Sequence, residues 1–277
     1  MRDDISILIQ GPISEISLSA IEDYVKFTKN IIISTWNLDD NQLNNIKNRF
    51  GEICNLKIIN EPQPNYIQML NNNELFGVTH GTTWYWQILG IYNGIIHCDT
   101  EYIIRTRSDE YFKNLNPLID KFFNNGKKFT CGNIWFKPKK FMPLHIGDHI
   151  YIANTNILKN SITFILNVML GKLNDNINFK KIVYQVGSKD GGHNHPESIL
   201  AKSIILHTNY KNYELFDYDT IDWADDLLCK NMFDVIDINE LKPIRWFWGR
   251  VGSGGDVFDE NSTSDESMAF IKTIDEY

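Results

Sequence analysis

Between Ile5 and Asn60 the chain alternates between short apolar runs and amphipathic stretches, and this restricts it to a parallel sheet covered by helices. Ile5-Ser-Ile-Leu-Ile9 reads as a buried strand, stopped by Gln10-Gly11-Pro12. From Ser17 to Lys29, residues Leu18, Ile21, Tyr24, Val25 and Phe27 fall on one helical face, with Ser17 or Ser19 available as a cap. Ile31-Ile-Ile33 begins a second strand, Asp39 to Phe50 reads as a helix, and Leu56 to Asn60 as a third strand. A βαβαβ order of this kind predicts crossovers and a parallel sheet, which binds ligands in the crevice outside the carboxyl ends of its strands.

The polar residues that follow each strand are therefore the first candidates. Gly11 permits either a close approach by a ligand or simply a positive φ angle. After the second strand, Thr35 and Asn37 offer hydrogen bonds, while Trp36 either stacks on a nucleobase or packs into the core. Residues 62–82 are rich in Asn, Gly and Pro and read as a long connection over the crevice. Thr83 to Gly94 is helical, with Trp84, Gln87, Ile88 and Ile91 near one face, and Gln87 contacts either a ligand or a backbone carbonyl. The stretch Glu101 to Tyr111 then runs from an apolar strand at Tyr102, Ile103 and Ile104 into Arg105-Thr-Arg-Ser-Asp-Glu110. The alternatives there are a strand delivering a metal-binding acid to a site, or a solvated turn.

Composition narrows the class. The 277 residues are 43% hydrophobic and 13% aromatic, enough for a core and too much for a disordered chain. A net charge of -8 argues against nucleic acid as a partner, because such binders concentrate positive charge. The basic run Lys137-Pro-Lys-Lys140 is read as a solvated loop with the capacity to meet a phosphate or an anionic membrane. Cys54, Cys98, Cys131 and Cys229 form no CxxC pair, so reduced, buried thiols are expected. Met1 to Ile13 lacks the apolar core of a secretion signal, and no segment has the roughly 18 apolar residues of a membrane span. A cytoplasmic protein is expected, with peripheral attachment to the cytoplasmic face of a membrane compatible with this reading.

The second half carries another polar cluster, His145, Asp148 and His149, ahead of an apolar strand and a helix from about Asn156. It is either a structural network or a sugar- or acceptor-binding group. Glu197 stands at the start of the helix Ser198 to Leu206, where it favours the helix dipole or acts on a substrate. His193 and His195, two residues apart in a Gly-rich loop, lack the fixed face of an HExxH helix, so a zinc hydrolase is a poor reading. Beyond His207 the chain is rich in Asp, Tyr and Trp and forms either an acceptor lid or the completion of the fold.

Taken in order, Ile7-Leu-Ile-Gln-Gly-Pro12, Ser34-Thr-Trp-Asn37, Gln87 before Gly90-Ile91, and Tyr102-Ile-Ile-Arg-Thr-Arg-Ser-Asp-Glu110 resemble the WavE lipopolysaccharide-synthesis family. Thr130-Cys-Gly-Asn-Ile134, His145 to Asn154 and Pro196-Glu-Ser-Ile-Leu-Ala201 continue the likeness, which covers roughly the first 205 positions. The family looks like a group of GT-A glycosyltransferases. The resemblance implies an α/β fold of the GT-A, Rossmann-like kind, with a core over 1–206 and a C-terminal extension over 207–277 packed on it. It implies a nucleotide-sugar donor, a glycan acceptor of lipopolysaccharide or capsule type, free or lipid-linked, and a divalent cation, Mn or Mg.

The roles follow residue by residue. Asp109 matches the last acid of the Asp-x-Asp motif that holds the metal, and Glu110 is a second ligand or faces solvent. Arg107 stands where the first acid is expected and could meet the donor's phosphate or sugar directly. Gln10, Gly11, Thr35, Trp36 and Gln87 lie on the nucleotide side, and His145 and Asp148 on the sugar or acceptor side. Glu197 becomes the base of an inverting displacement. The family pattern often carries Arg before the helix Gln, whereas Trp86 stands there. A nucleotidyltransferase and a non-catalytic carbohydrate-binding protein derived from a transferase are the alternatives.

Overall fold

The computed structural model describes residues 1–63, 81–134, 136, 144–170, 172, 196–209, 226–245 and 273–276. The expected start is present: β1 (Ile5–Gln10), α1 (Glu15–Tyr24), β2 (Asn30–Trp36), α2 (Asp40–Phe50) and β3 (Asn55–Glu61) follow one another. After them come α3 (Gly81–Ile95), β4 (Tyr102–Arg107), β5 (Tyr111–Phe112), α4 (Asn116–Asn124), β6 (Phe129–Gly132) and β7 (Ile150–Asn154). The order continues with α5 (Thr155–Met169), α6 (Pro196–Asn209), α7 (Asp226–Met232), β8 (Phe233–Ile236) and β9 (Pro243–Arg245).

The described strands form a mostly parallel seven-stranded sheet in the order β3-β2-β1-β4-β7-β6-β8, with β5 and β9 paired separately. β3, β2, β1 and β4 run parallel, whereas β7 lies antiparallel to both β4 and β6. From β1 the chain steps outward to β2 and β3, and β4 then returns to the other side of β1. This reversal of strand order opens a crevice beyond the carboxyl ends of β1 and β4. Within the stretch past residue 207, β8 pairs with β6 and forms the sheet's edge.

Strand periodicity sorts the core into two faces. Ile5, Ile7 and Ile9 pack with Leu18, Ile21 and Tyr24 of α1, Ile46 and Phe50 of α2, and Leu118 and Phe122 of α4. Leu8, Ile32 and Ile103 face the other way, onto Ile88, Ile91 and Ile95 of α3, Ile162 of α5 and Ile204 of α6. The same parity carries Gln10, Arg105 and Arg107 to the α3 side. Gly90 brings α3 close: a Cβ there would lie 2.9 Å from Cγ of Gln10.

Helix starts follow local chemistry. Asp39 caps α2, its Oδ1 accepting from the Gln42 N–H at 2.8 Å while Gln42 Oε1 accepts from the Asp39 N–H at 3.0 Å. α1 begins earlier than expected, with Ser14 rather than Ser17 or Ser19 at its cap position. The Ser17 hydroxyl instead accepts from the Ser14 N–H at 3.0 Å. Among the described residues, no helix is long and apolar enough to cross a membrane.

Candidate functional site

Three backbone ends meet at the reversal point. The Gly11 N–H donates to the Ser34 carbonyl, and the Ser108 N–H to the Gln10 carbonyl, each at 3.0 Å. Ser17 donates its hydroxyl to the Ser108 carbonyl at 2.6 Å and so ties the first turn of α1 to the loop after β4. Gly11 has φ +124°, and a Cβ there would stand 2.5 Å from Ser108 Oγ. Both its conformation and its packing against Ser108 therefore select glycine. At the end of β2, Asn37 takes φ +53° and accepts the Gln63 N–H at 3.1 Å.

The cleft these ends enclose has a volume of about 430 Å³. Its walls are Gln10 to Ser14, Trp36, Gln63, Trp86, Gln87, Arg105, Arg107, Ser108 and Asp109. Two indoles, three side-chain amides and two guanidiniums thus border one space.

Behind the cleft lies a buried polar network. Arg105 is fully buried in the central strand. It donates to Gln10 Oε1 at 2.7 Å, to the His149 carbonyl at 3.4 Å and to the Asp148 carbonyl. Its Nε is buried without a hydrogen-bond partner among the described residues. The Asp148 carboxylate accepts from Gln87 Nε2 at 2.5 Å. Burial pushes the Asp148 carboxyl up, but His149, Arg105, the Gln87 hydrogen bond and Arg107 together outweigh it and hold the carboxyl below its usual range.

Glu197, in the first turn of α6, lies 3.5 Å from His145 Nε2 and keeps 19% of its side chain accessible. Burial, and then the charge of Asp148, raise its carboxyl to about 8. Adjacent carboxyl groups pushed in opposite directions are an arrangement suited to proton transfer.

Gln10, Gly11, Trp36, Gln87, Arg107 and Asp109 line the cleft together. Thr35 does not, because strand alternation turns it to the α1 and α2 side, where its hydroxyl is buried without a hydrogen-bond partner among the described residues. Asp148, His145 and Glu197 are brought together one layer behind the lining residues. Glu110 neither faces solvent nor joins Asp109. It is 1% exposed, and its Oε1 meets His149 Nδ1. Arg105, Trp86 and Gln63 are site residues to which the sequence assigned no role. Only Arg105 carried a signal, a charge interrupting an apolar strand.

Among the described residues, the side chains around Asp109 do not fit a divalent cation. Arg107 Nε and Nη2 bond Asp109 Oδ1 and Oδ2 at 2.9 and 3.0 Å, so both oxygens already face a cation. Glu110 is turned inward, and no three His, Cys, Asp or Glu side chains among the described residues come together as a metal site. His193, His195, the 137–140 basic run and most of 207–277 lie outside the described residues.

No protein-family model matches the sequence, so the WavE resemblance rests on the motifs quoted above, and no curated protein matches it either. Several solved structures are similar to it. HddC from Yersinia pseudotuberculosis, complexed with GMP-PN, is 14% identical with a TM-score of 0.37, over 57% of this chain and 80% of that one. An active-site mutant of LgtC is 12% identical with a TM-score of 0.40, over 73% and 69%. Mouse xyloside xylosyltransferase 1 is 10% identical with a TM-score of 0.36, over 76% and 83%. These likenesses are weak, and none decides the chemistry.

Proposed function

We propose that this chain is a GT-A type glycosyltransferase that moves a sugar from a nucleotide-sugar donor to a hydroxyl of a growing surface glycan. The observation that carries the reading is the composition of the cleft wall at the strand-order reversal. Trp36 and Trp86 offer faces for a nucleobase, Gln10, Gln63 and Gln87 offer amides for ribose and sugar hydroxyls, and Arg105 and Arg107 offer positive charge for a diphosphate. The surface-glycan acceptor is supported by the sequence resemblance.

In the proposed reaction an acceptor oxygen forms a bond to the anomeric carbon as the bond from that carbon to the diphosphate oxygen breaks. The electron pair leaves with the diphosphate, and the acceptor's proton passes to a carboxylate. Glu197, beside His145 at the start of α6, is the carboxylate assigned that role. Its raised pKa makes it a strong base whose ionised fraction grows as pH climbs through about 8, so transfer rises over the same interval. Direct displacement of this kind inverts the anomeric carbon.

A panel of nucleotide sugars, incubated with the full chain and simple glycan acceptors, tests the assignment. Release of a nucleoside diphosphate together with a glycosylated acceptor is expected. Pyrophosphate formed from a sugar phosphate and a nucleoside triphosphate would instead make the protein a nucleotidyltransferase, and binding without turnover would make it a carbohydrate-binding protein.

A further inference from the structure

Arg107 and Asp109 face each other across Ser108 in the cleft wall, joined by two parallel bonds of 2.9 and 3.0 Å. This two-pronged geometry is the one a guanidinium makes with either a carboxylate or a phosphate. Each side chain is 25% accessible, so the pair is partly open to the cleft. Arg107 pairs in register with Gln10 at the ends of β1 and β4, which puts its charge at the strand-order reversal. Glu110 Oε1 lies 3.9 Å from Arg107 Nε, a second and buried carboxyl group on the far side of the guanidinium from the cleft.

We infer that Arg107 is the cation of the donor site and that Asp109 is its resident counter-ion, displaced when a nucleoside diphosphate binds. The inference rests on the transferase reading above and makes it specific: the diphosphate exchanges with a carboxylate on a guanidinium fork. Arg105, one pleat deeper on the same face, contributes fixed positive potential, because its Nη groups are committed to Gln10 and to the Asp148 and His149 carbonyls. Asp109 then has the opposite effect from a metal ligand. It competes with the diphosphate, and its removal strengthens binding.

The competing pair is partly exposed, and such pairs are worth up to about 1 kcal/mol, or roughly a fivefold change in affinity. Losing Arg107 removes a charge-assisted bond worth about 1.5–3 kcal/mol, roughly ten- to hundredfold.

The experiment is titration of the full chain with UDP, GDP, ADP and dTDP, each in EDTA and each in MnCl₂, followed by calorimetry. At least one diphosphate is expected to bind equally well in EDTA and in MnCl₂. Asp109→Asn should bind it roughly fivefold more tightly, Arg107→Ala at least about tenfold more weakly, and Arg107→Lys between Arg107→Ala and the wild type, since it keeps the charge and loses the fork. Arg107→Asp, which places a carboxylate two residues before Asp109, should bind only in MnCl₂. If Arg107→Ala does not fold, the Arg107→Lys result decides. Binding that requires MnCl₂ in the wild type, or that Asp109→Asn abolishes, overturns the inference alone. No binding of any diphosphate in either condition overturns the transferase reading and the inference with it.

Discussion

Replacing Arg105 with Met tests the buried network directly, because the substitution keeps volume and removes charge. Arg105 is fully buried in the middle strand of the sheet, in register with Leu8 on one side and Tyr151 on the other. Its loss leaves Gln10 Oε1 and the Asp148 carbonyl without their donor, and the Asp148 carboxylate without one of the charges that hold its pKa down. Removing one member of such a buried set costs about 3–5 kcal/mol, a large share of the roughly 5–15 kcal/mol that keeps a domain folded. Met refills the volume, so little of the loss comes from a cavity.

The pH dependence of that loss carries more information than its size. In the wild type Asp148 titrates below its unfolded value of 3.8, so its contribution is present above that value and disappears on acidification. Without Arg105, desolvation gains ground and the Asp148 pKa rises. Once it passes the unfolded value, the native variant takes up a proton before its unfolded chain does, and acidification stabilises it. The stability gap between variant and wild type should therefore narrow from about pH 7 to about pH 4. Denaturant midpoints at both pH values, with unchanged m-values, measure it. A loss under about 1 kcal/mol, or a gap that ignores pH, would refute the network as the source of Arg105's role.

Three further outcomes are expected. Glu197 has its carboxyl raised from 4.5 to about 8, so the stability tied to its protonated form is complete below 4.5 and lost as pH rises through 8; Glu197→Gln should match the wild type near pH 4.5 and exceed it by a few kcal/mol above pH 8 in the same denaturation assay, while transfer collapses at every pH. Gly147→Ala would set a Cβ 2.0 Å from the Gly132 carbonyl oxygen, a backbone atom that cannot yield cheaply, and should cost about 3 kcal/mol or more of thermal stability. Ser17→Ala leaves the Ser108 carbonyl without its 2.6 Å donor, and should cost about 1–2 kcal/mol while weakening nucleotide binding in titration, because Ser108 directly follows Arg107 and the tie to α1 holds that strand end in place.

The alternation from Ile5 to Asn60 was legible because it rests on periodicity, and each of its segments emerged as a strand or helix, although α1 ends at Tyr24, five residues short of the expected Lys29. Strand ends were legible for the same reason, since a polar residue after a buried run has to lie at the rim of the sheet. What periodicity alone did not settle was the parity of single residues. Trp36 and Thr35 are neighbours with equal claims in the sequence, and only the pleat turns one into the cleft and the other to the far face. Glu110 was harder still, because His149, its partner, lies 39 residues away and is brought to it by β7 running antiparallel to β4. The antiparallel strand itself carried no local mark, since a buried run such as Ile150 to Asn154 reads alike in either direction.

The two arginines of β4 show how one strand separates holding from exchange. Residues 103, 105 and 107 share a face, so the strand passes from Ile103 in the core, through a fully buried cation, to a cation at the rim. Arg105 is closed in by Gln10 and two carbonyls and lacks the exposure to trade partners. Arg107 has a carboxylate partner on the accessible side and a buried one behind it. An exposed lone arginine would bind anions without a fixed geometry, and a fully buried one would bind none. A rim arginine with a removable counter-ion keeps its fork aligned before the ligand arrives, so less side-chain entropy is lost on binding. On the proposed reading the burden of anion recognition falls on Arg107, and neutralising Asp109 should strengthen binding.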